Sequence, residues 1–261
     1  MTGPSPRLTA AIIARDEASM LGECLGSVAF ADERLVLVDA ATRDRTREVA
    51  RGQGARVAER VFDNFAAQRD AALALATGDW VLFVDADERV SPALRDEVLE
   101  VVRQSAGRRG FWIPRHNYLL GRVVRHAGWF PDYQLRLLER AAARFDPARP
   151  VHELALVDGP LGHLREPLLH FNYRSLGEFV DKQERYCPLE AERWLARFGR
   201  PHRRAVLGQP AREFWRRYVQ LAGYREGPLG FVLSALLAFY AGKAVWLAMR
   251  LPVRSSARGA A

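Results

Sequence analysis

This 261-residue sequence has few cysteines and none of the common nucleophile or P-loop motifs. Only Cys24 and Cys187 are present, and no metal-ligand spacing surrounds either of them, so we expect free thiols in a reducing compartment. The first seven residues lack an apolar core, and we therefore expect no signal peptide. Because the sequence has no Gly-x-Ser-x-Gly elbow, Ser-His-Asp order or P-loop, nucleophilic hydrolysis and P-loop phosphoryl transfer lack residues to carry them.

The composition allows one sizeable domain with a small annex, since 49% of the residues are hydrophobic and 27% are charged. The net charge of +8 is confined to the C-terminal third. Residues 181–261 contain 15 Lys or Arg against six Asp or Glu, whereas the first 180 residues contain 24 against 25. A basic chain can bind nucleic acid, but no nucleic-acid motif is visible and the basic region is interleaved with a long apolar one. We therefore expect no nucleic-acid partner.

The most informative stretch is an apolar run that ends in three carboxylates. Residues 80–84 (WVLFV) are short, β-branched and aromatic, which predicts a buried strand, and Asp85, Asp87 and Glu88 follow. Two Asp at i and i+2 on an extended chain point to the same side, so both can reach one hard metal ion. In the alternative interpretation these residues form a turn and only cap the helix that Ser91-Pro92 begins.

Two earlier strands end in the same manner. The apolar run of residues 8–14 leads to Arg15-Asp16-Glu17, and the run of residues 35–38 leads into Asp39. Three strand-to-helix units in the first ninety residues predict a parallel α/β sheet, in which ligands bind beyond the carboxyl ends of the strands. We therefore expect the acidic strand ends to meet along one edge and to form a single site.

The middle of the chain is rich in aromatic residues and histidines. Trp129 and Tyr133 could stack on a sugar face, and Asp132 between them could accept a proton from a hydroxyl held there. The alternative is an aromatic turn in which this Asp caps the next element. His152 and His170 are candidates for contact with the metal ion or with a diphosphate group. A lone His is, however, more often a hydrogen-bonded structural residue.

A long apolar segment follows near the C-terminus. Residues 229–249 are broken only by Lys243, and their length would allow a membrane span. A Lys near the middle of a bilayer costs about 2.5–3.5 kcal/mol, and the flanking arginines suit an anionic lipid surface. We favour helices that lie on or dip into the membrane, over a span or a soluble packing helix. We expect a helical extension over residues 179–253 and a disordered tail over residues 254–261.

These motifs together resemble family 2 glycosyltransferases with the GT-A fold, above all the bacterial subgroup that contains the lipopolysaccharide inner-core β-glucosyltransferases. The resemblance covers about residues 8–250, and the matching segments keep the family's order and spacing. They are residues 12–17, 36–39, 44–46, 65–73, 76–90, 128–137, 150–153 and 170–175. The resemblance implies an α/β nucleotide-diphospho-sugar transferase fold over residues 8–178, with a mostly parallel central sheet and flanking helices, after a flexible N-terminus of residues 1–7.

The resemblance also implies roles for individual residues. The nucleotide-sugar donor would contact Arg15, Glu17, Asp39, Gln68, Arg69 and Asp85, with Asp39 on the base and Asp85 on the ribose or the metal. The divalent cation, Mg²⁺ or Mn²⁺, would be held by Asp87, with Asp85 and His170 as further ligands, and would bridge the donor diphosphate. The acceptor would contact Trp129 and Tyr133, and Asp132 would be the general base, with Glu153 as the second candidate for that role.

The implied reaction is a single displacement that inverts the anomeric centre through an oxocarbenium-like transition state. The leading expectation is transfer of glucose from UDP-glucose to a glycolipid or surface polysaccharide, such as a heptose of the lipopolysaccharide inner core. The enzyme would be cytoplasmic and peripherally attached to the anionic inner face of the bacterial cytoplasmic membrane. Two alternatives are a non-catalytic nucleotide-sugar-binding protein and a haloacid-dehalogenase-type phosphatase. The phosphatases also place Asp-x-Asp after a strand, but Arg89 stands where they have Thr or Val.

Three positions depart from the family pattern. Asp16 replaces a common Asn, Ala40-Ala41-Thr42 replaces Ser-Gly-Ser, and Asp70 replaces a usual Asn. All three lie near the predicted nucleotide, so the sequence leaves the identity of the base open.

Overall fold

The computed structural model describes residues 5–146 and 154–251. Three predicted features therefore lie outside the described residues: most of the flexible N-terminus, the segment with His152 and Glu153, and the C-terminal tail.

The described residues form twelve strands and seven α-helices. Up to the end of the fourth helix these are β1 (Leu8–Ala14), α1 (Ala18–Ser27), β2 (Glu33–Asp39), α2 (Thr46–Gly52), β3 (Arg56–Arg60), α3 (Phe65–Leu75), β4 (Trp80–Phe83), β5 (Glu88–Val90) and α4 (Pro92–Arg103). The remaining strands are β6 (Gly110–Leu119), β7 (Arg122–Val124), β8 (Asp132–Glu139), β9 (Ala143–Arg144), β10 (Leu156–Val157), β11 (Leu161–His163) and β12 (Leu168–Tyr173). The last three helices are α5 (Leu176–Phe198), α6 (Arg203–Trp215) and α7 (Gly227–Arg250).

The main sheet confirms the predicted α/β class. Its strand order is β3-β2-β1-β4-β8-β6-β12-β5, and the neighbours among β3, β2, β1 and β4 run parallel. The strand β8 runs antiparallel to both β4 and β6, and β12 runs antiparallel to β5. The parallel half is the part that the acidic strand ends predicted, and the antiparallel strands extend it on one side.

The described residues form two compact units, and the first contains residues 5–116, 131–146 and 154–172. The parallel strands β1 and β4 and the middle of β2, residues 35–38, are buried on both faces, so they are apolar almost throughout. Ile12 of β1 packs on one face in a cluster with Leu21 and Leu25 of α1, whereas its neighbour Ala11 packs on the other face in a cluster with Leu73 of α3. Burial of each large aliphatic side chain contributes about 1.5–3 kcal/mol.

The helix after β5 begins at a side-chain cap. The Ser91 hydroxyl accepts a hydrogen bond from the Leu94 backbone N–H at 3.2 Å, and Pro92 occupies the first helical position. Ser91 therefore caps α4, and Asp85 and Asp87 do not serve as its cap, as the turn interpretation would have required.

Glu33 forms hydrogen bonds at the amino-terminal ends of the parallel strands. Its carboxylate accepts hydrogen bonds from the Thr9 hydroxyl at 2.6 Å, from the Thr77 backbone N–H and hydroxyl at 2.8 and 2.9 Å, and from Arg56 Nε at 2.8 Å. Burial alone would raise the pKa of Glu33, but these hydrogen bonds outweigh it and lower the pKa to about 2.

Replacing Glu33 with Gln should therefore lower the free energy of unfolding by about 2 kcal/mol at pH 7. This value is smaller than the free energy that corresponds to the whole pKa shift, because solvent screens part of the charge interaction. Because the folded pKa lies below the ordinary value of 4.5, this stabilisation is complete above pH 4.5 and is lost as the pH falls toward 2. Urea denaturation at pH 7 and pH 3 measures it, with the exposed Glu100→Gln as the control. An equal difference between wild type and Glu33→Gln at both pH values would contradict this account.

The second unit contains residues 117–130 and 173–251. The Ser175 hydroxyl accepts a hydrogen bond from the Glu178 N–H at 3.1 Å and starts α5. Glu226, just before α7, accepts hydrogen bonds from the backbone N–H groups of Arg125 and His126, both at 2.9 Å, and lies 2.7 Å from His126 Nδ1. These contacts hold the 117–130 segment against the start of α7.

The apolar segment predicted from the sequence is the helix α7. A helical stretch over Gly223–Arg250 is long and apolar enough to cross a membrane, and 44% of its most apolar 18-residue window is buried inside the protein. Lys243, which interrupts the segment, pairs with Glu184 of α5, and Glu184 also accepts a hydrogen bond from the Tyr240 hydroxyl at 3.0 Å. The charge that argues against a span is thus matched by a partner within the unit.

Candidate active site

The three strand ends meet at one edge of the sheet, as predicted. The strands β1, β2 and β4 are parallel neighbours, so Arg15 after β1, Asp39 at the end of β2 and Asp85 after β4 share the carboxyl edge. Because β8 runs antiparallel to β4, its first residue, Asp132, lies toward the same edge. The topology thus brings together residues that are more than one hundred positions apart.

Asp39 presents a buried acceptor at this edge. Its Oδ1 accepts the Ala41 backbone N–H at 3.0 Å, and Arg15 Nη1 lies 3.2 Å from its Oδ2. The Arg15 contact is an ion pair without hydrogen-bond alignment, and within the described residues Oδ2 has no hydrogen-bond partner although Asp39 is only 3% exposed. A buried acceptor without a donor costs about 1–3 kcal/mol, so this oxygen favours a ligand that carries an N–H or O–H group.

Gln68 offers a second acceptor of this kind. Its side chain is buried in α3, and its Nε2 donates to the Val61 carbonyl at 3.3 Å. Among the described residues its Oε1 has no hydrogen-bond partner. Gln68 therefore carries hydrogen-bonding capacity that the described residues leave unused.

Asp85 is held by two guanidinium groups. Arg136 of β8 contacts both of its oxygens, with Nη1 3.2 Å from Oδ1 and Nη2 closer still to Oδ2, and Arg69 Nη2 lies 3.1 Å from Oδ1. Burial would raise the pKa of Asp85, but the two arginines outweigh it and hold the pKa well below its usual range. Asp85 is therefore an anion whose position is set by Arg136 and Arg69.

Glu88 links this pair to the general-base candidate. Its side chain is completely buried, and its Oε2 accepts the Asp85 backbone N–H at 2.9 Å. Its Oε1 lies 3.2 Å from Arg115 Nη1 and 3.3 Å from Arg136 Nη2. Although burial would lower the pKa of Arg136, Asp85 and Glu88 raise it, so Arg136 stays charged. The third carboxylate of the acidic run is thus neutralised inside the protein.

Asp132 lies opposite Arg115 in the register of β8 and β6. Arg115 donates to its Oδ2 from Nε at 2.9 Å and from Nη2 at 2.6 Å, and Gln134 Nε2 donates to its Oδ1 at 2.9 Å. The carboxylate is therefore fixed in position. An acceptor hydroxyl that transfers its proton to Asp132 has to share or displace one of these donors.

Asp87 and His170 form the pair best suited to a divalent cation. His170 of β12 lies opposite Glu88 in the sheet, and its Nε2 is 3.2 Å from Asp87 Oδ2. Within residues 5–146 and 154–251 no three His, Cys, Asp or Glu side chains form a metal cluster. Mg²⁺ in phosphate-transfer sites commonly takes one or two protein ligands and completes its shell with phosphate oxygens, so two ligands fit that chemistry. Asp85 fits it less well because both of its oxygens face arginines.

The remaining predicted residues occupy different settings. Tyr133 of the first unit is 41% exposed, and its ring lies 5.2 Å from the His163 ring. Trp129 belongs to the second unit, where its ring packs edge-on against Tyr173 at 6.4 Å. Glu17 immediately precedes α1, and its backbone N–H donates to the Thr46 hydroxyl at 2.8 Å. The acceptor roles of Trp129 and Tyr133 and the donor role of Glu17 remain predictions.

Two of the departures from the family pattern have structural roles. Asp16 adopts a positive φ of 54°, and its Oδ1 accepts the backbone N–H groups of Arg43 at 2.7 Å and of Asp44 at 3.3 Å. Asp70 Oδ1 accepts the Phe145 backbone N–H at 3.0 Å. Both carboxylates hold neighbouring backbone, a task that needs only an acceptor oxygen.

Arg115 and Arg136 are the functional candidates that sequence reasoning did not identify. Arg136 did carry a signal, because it interrupts the apolar run Leu135-Arg136-Leu137-Leu138 of a buried strand. A charge at such a position requires a buried partner of opposite sign. Arg115 has no comparable signal, since its neighbours in β6 are polar as well as apolar.

Comparison with known proteins identifies the family of the chain. The family described as Glycosyl transferase family 2 matches residues 9–142. The chain is 30% identical over 249 residues to the lipopolysaccharide core biosynthesis glycosyltransferase LpsC of Rhizobium meliloti (strain 1021). The aligned region covers 91% of this chain and 90% of that protein. The chain is also 35% identical over 144 residues to a TPR repeat-containing protein of Synechococcus elongatus. This alignment covers 55% of this chain and 34% of that protein.

Among solved structures, the mannosyltransferase PcManGT from Pyrobaculum calidifontis, in complex with GDP-Man and Mn²⁺, is similar with a TM-score of 0.54. The sequence identity is 14%, and the match covers 94% of this chain and 87% of that one, so this likeness speaks for the fold.

The sheet and its acidic carboxyl edge therefore define a glycosyltransferase with the GT-A fold, which confirms the fold prediction. The chain belongs to glycosyltransferase family 2. The phosphatase alternative does not agree with this membership.

Proposed function

We propose that this enzyme moves a hexose, in the leading case glucose from UDP-glucose, to a glycolipid or surface-polysaccharide acceptor such as the lipopolysaccharide inner core. The similarity to LpsC, whose name refers to lipopolysaccharide core biosynthesis, supports the acceptor class. The observation that carries the donor side is the buried Asp39 Oδ2, an acceptor at a strand end with no hydrogen-bond partner in the described residues. A nucleotide base with a ring N–H group would satisfy it.

The donor would lie along the carboxyl edge, with its base at Asp39 and Gln68 and its diphosphate toward Asp87. Arg15, which lies beside Asp39 and is exposed, would contact the nucleotide from the solvent side. Arg69 and Arg136 keep Asp85 charged and fixed, so that it can accept hydrogen bonds from the ribose hydroxyls. Glu17 would contribute from the adjoining start of α1.

Mg²⁺ or Mn²⁺ would be held by Asp87 and His170, and Asp85 remains the alternative ligand. When bound, the ion supplies positive charge that stabilises the departing nucleoside diphosphate. The two residues fit this task because one is a carboxylate, the other an imidazole, and their nearest atoms are 3.2 Å apart. We therefore propose a metal-dependent reaction.

Asp132 would take the proton from the acceptor hydroxyl as that oxygen attacks the anomeric carbon. The attack comes from the face opposite the leaving diphosphate, so one displacement inverts the configuration. Arg115 and Gln134 orient the carboxylate, and Tyr133, exposed at the next position, would stack on the acceptor sugar. Trp129 is proposed as a second stacking residue.

Replacing Asp132 with Asn should reduce kcat for transfer by about 10²–10⁴-fold while the affinity for the donor changes less than threefold. The amide keeps the shape and the hydrogen bond to Arg115 but cannot accept the proton. Steady-state kinetics with separate kcat and KM values, together with donor binding, measure the effect. If kcat stays near the wild-type value, the base lies elsewhere, and Glu153→Gln becomes the next variant to test.

The second unit would hold the enzyme at the cytoplasmic face of the inner membrane without crossing it. Large apolar side chains of its helices are exposed, among them Phe231 and Phe239 of α7 and Trp215 at the end of α6. The unit also contains most of the excess of basic residues. Exposed aromatic groups beside arginines are typical of proteins that bind anionic membrane surfaces.

The experiment that tests the function is a panel of nucleotide-sugars with and without Mn²⁺. Thermal-shift measurements should show stabilisation by a nucleoside-diphosphate sugar only when Mn²⁺ is present, because binding to the native state raises the melting temperature. Release of nucleoside diphosphate should then follow when membrane glycolipid is added. Binding without release would favour the non-catalytic alternative. The absence of stabilisation by every nucleotide-sugar in the panel would overturn the proposal.

A further inference from the structure

The helices α6 and α7 of the second unit enclose an apolar groove that the transfer reaction leaves unused. Its volume is about 800 Å³, and we call it the α6–α7 groove. The helix α6 contributes Val206, Pro210 and Phe214 to its lining, and α7 contributes Ala238, Phe239 and Trp246. Its length along α7, from residue 235 to residue 246, is about 16 Å, the length of a single extended fatty-acyl chain.

The two helices that form the groove pack closely against each other. Gly242 of α7 lies against Pro210 of α6, and a Cβ atom at Gly242 would come within 2.5 Å of the Pro210 ring. Further along, the Phe214 ring meets the Phe231 ring edge-on at 5.6 Å. These contacts show that α6 and α7 run antiparallel, with close approach at Gly242.

Large apolar side chains of the two helices are exposed. Leu207 of α6 is 81% exposed, Phe239 of α7 is 59% exposed, and Trp215 at the end of α6 is 58% exposed. Exposed apolar side chains of this size on the two helices that form an open apolar groove mark an interaction site.

The charges around the groove identify its partner. Residues 199–250 contain nine Lys or Arg and two Asp or Glu, and one of these acids, Glu213, pairs with Arg216 and Arg217. Arg203 and Arg204 at the start of α6 and Arg250 at the end of α7 are exposed. No ion pair joins these three to any residue in the described part of the chain. Because the helices run antiparallel, the three arginines lie at the same end of the groove.

We propose that the α6–α7 groove binds one acyl chain of an anionic membrane lipid, whose phosphate head group meets Arg203, Arg204 and Arg250. A second copy of this chain is a poor occupant because it would bring two arginine-rich surfaces together. An anionic lipid matches both the apolar lining and the positive end. This inference deepens the proposed function. It rests on that function only in taking the acceptor to be located at a membrane.

The test uses the full chain and dodecyl phosphate below its critical micelle concentration, with binding measured by calorimetry. Ala211 is an exposed lining residue, so Ala211→Trp should fill the groove and weaken binding at least tenfold. Ala196, exposed on α5 outside the lining, provides the matched control, and Ala196→Trp should bind as the wild type does. The double variant Arg203→Gln, Arg250→Gln should also bind more weakly.

Inorganic phosphate separates the acyl chain from the head group and should not bind measurably at the same concentrations. Equal binding of dodecyl phosphate by Ala211→Trp and wild type would overturn the inference, and so would phosphate binding of similar strength. A concentration-dependent dimer in sedimentation that Ala211→Trp abolishes would also overturn it, in favour of a second copy. Stabilisation by a nucleotide-sugar with Mn²⁺ is measured on the same variants. If it persists while lipid binding fails, only the groove inference is wrong.

Discussion

Replacing Asp87 with Asn should reduce the rate of sugar transfer by about 10²–10³-fold, the loss expected when one group that stabilises a developing charge is removed. Asp87 follows β4 at the carboxyl edge, is about one-third exposed, and faces His170. The amide keeps the size of the side chain but loses the negative charge that a divalent cation requires. Its exposure also means that the free energy of unfolding should change by less than about 1 kcal/mol.

Activity as a function of Mn²⁺ concentration tests this expectation most directly. The variant should need more Mn²⁺, and its rate at saturation should stay low, whereas thermal melting without metal should match the wild type. Asp96→Asn, an exposed substitution of the same kind on α4, is the control. A wild-type rate for Asp87→Asn at any Mn²⁺ concentration would show that Asp87 is not a ligand.

Replacing Arg136 with Met should lower the free energy of unfolding by about 3–5 kcal/mol, the usual cost of removing one partner from a buried ion pair. Arg136 is 4% exposed and contacts both Asp85 and Glu88, so Met would leave two carboxylates without their common cation. Arg136→Lys should recover only part of the loss, because a single ammonium group cannot match the fork that holds Asp85.

Chemical denaturation measures the loss, with Arg103→Met on the exposed face of α4 as the control at less than about 0.5 kcal/mol. In the wild type the Asp85 pKa lies below its usual value, so the contribution of the pair is complete above pH 4 and falls only in stronger acid. In Arg136→Met the Asp85 carboxylate loses the cation that lowers its pKa most, so it protonates at milder pH, and the difference from wild type should narrow between pH 7 and pH 4. A difference that does not depend on pH would point to lost packing alone.

The sequence was sufficient to predict the part of the site that depends on strand direction. Asp39 and Asp85 each follow an apolar run, and the carboxyl ends of parallel strands necessarily meet at one edge. The same segments predicted the family, because the family's motifs occur in a fixed order along the chain. In the structure these segments lie at β1, β2, α3 and β4, in that order. These are local patterns joined by a simple topological rule.

The cations of the site could not be predicted in this way. Arg136 reaches Asp85 across 51 positions and Arg115 reaches Asp132 through the register of two antiparallel strands, which no local pattern specifies. The spacing of Asp85 and Asp87 therefore predicted that both reach one metal ion, whereas Asp85 faces two arginines and Asp87 faces a histidine. The grouping of residues 117–130 with the C-terminal helices is likewise a long-range outcome, since it depends on contacts such as His126 with Glu226.

Cys24 of α1 contacts the carboxyl edge of the sheet, at the segment that follows β4. Its thiol is fully buried in α1 and donates to the Asp85 carbonyl at 3.4 Å, and burial raises the pKa of Cys24 well above its usual range. The thiolate needed for alkylation therefore forms only when α1 moves away from the segment that follows β4. The rate at which an alkylating reagent labels Cys24 thus reports how often the floor of the active site opens, and a bound donor that rigidifies the strand end would slow that labelling.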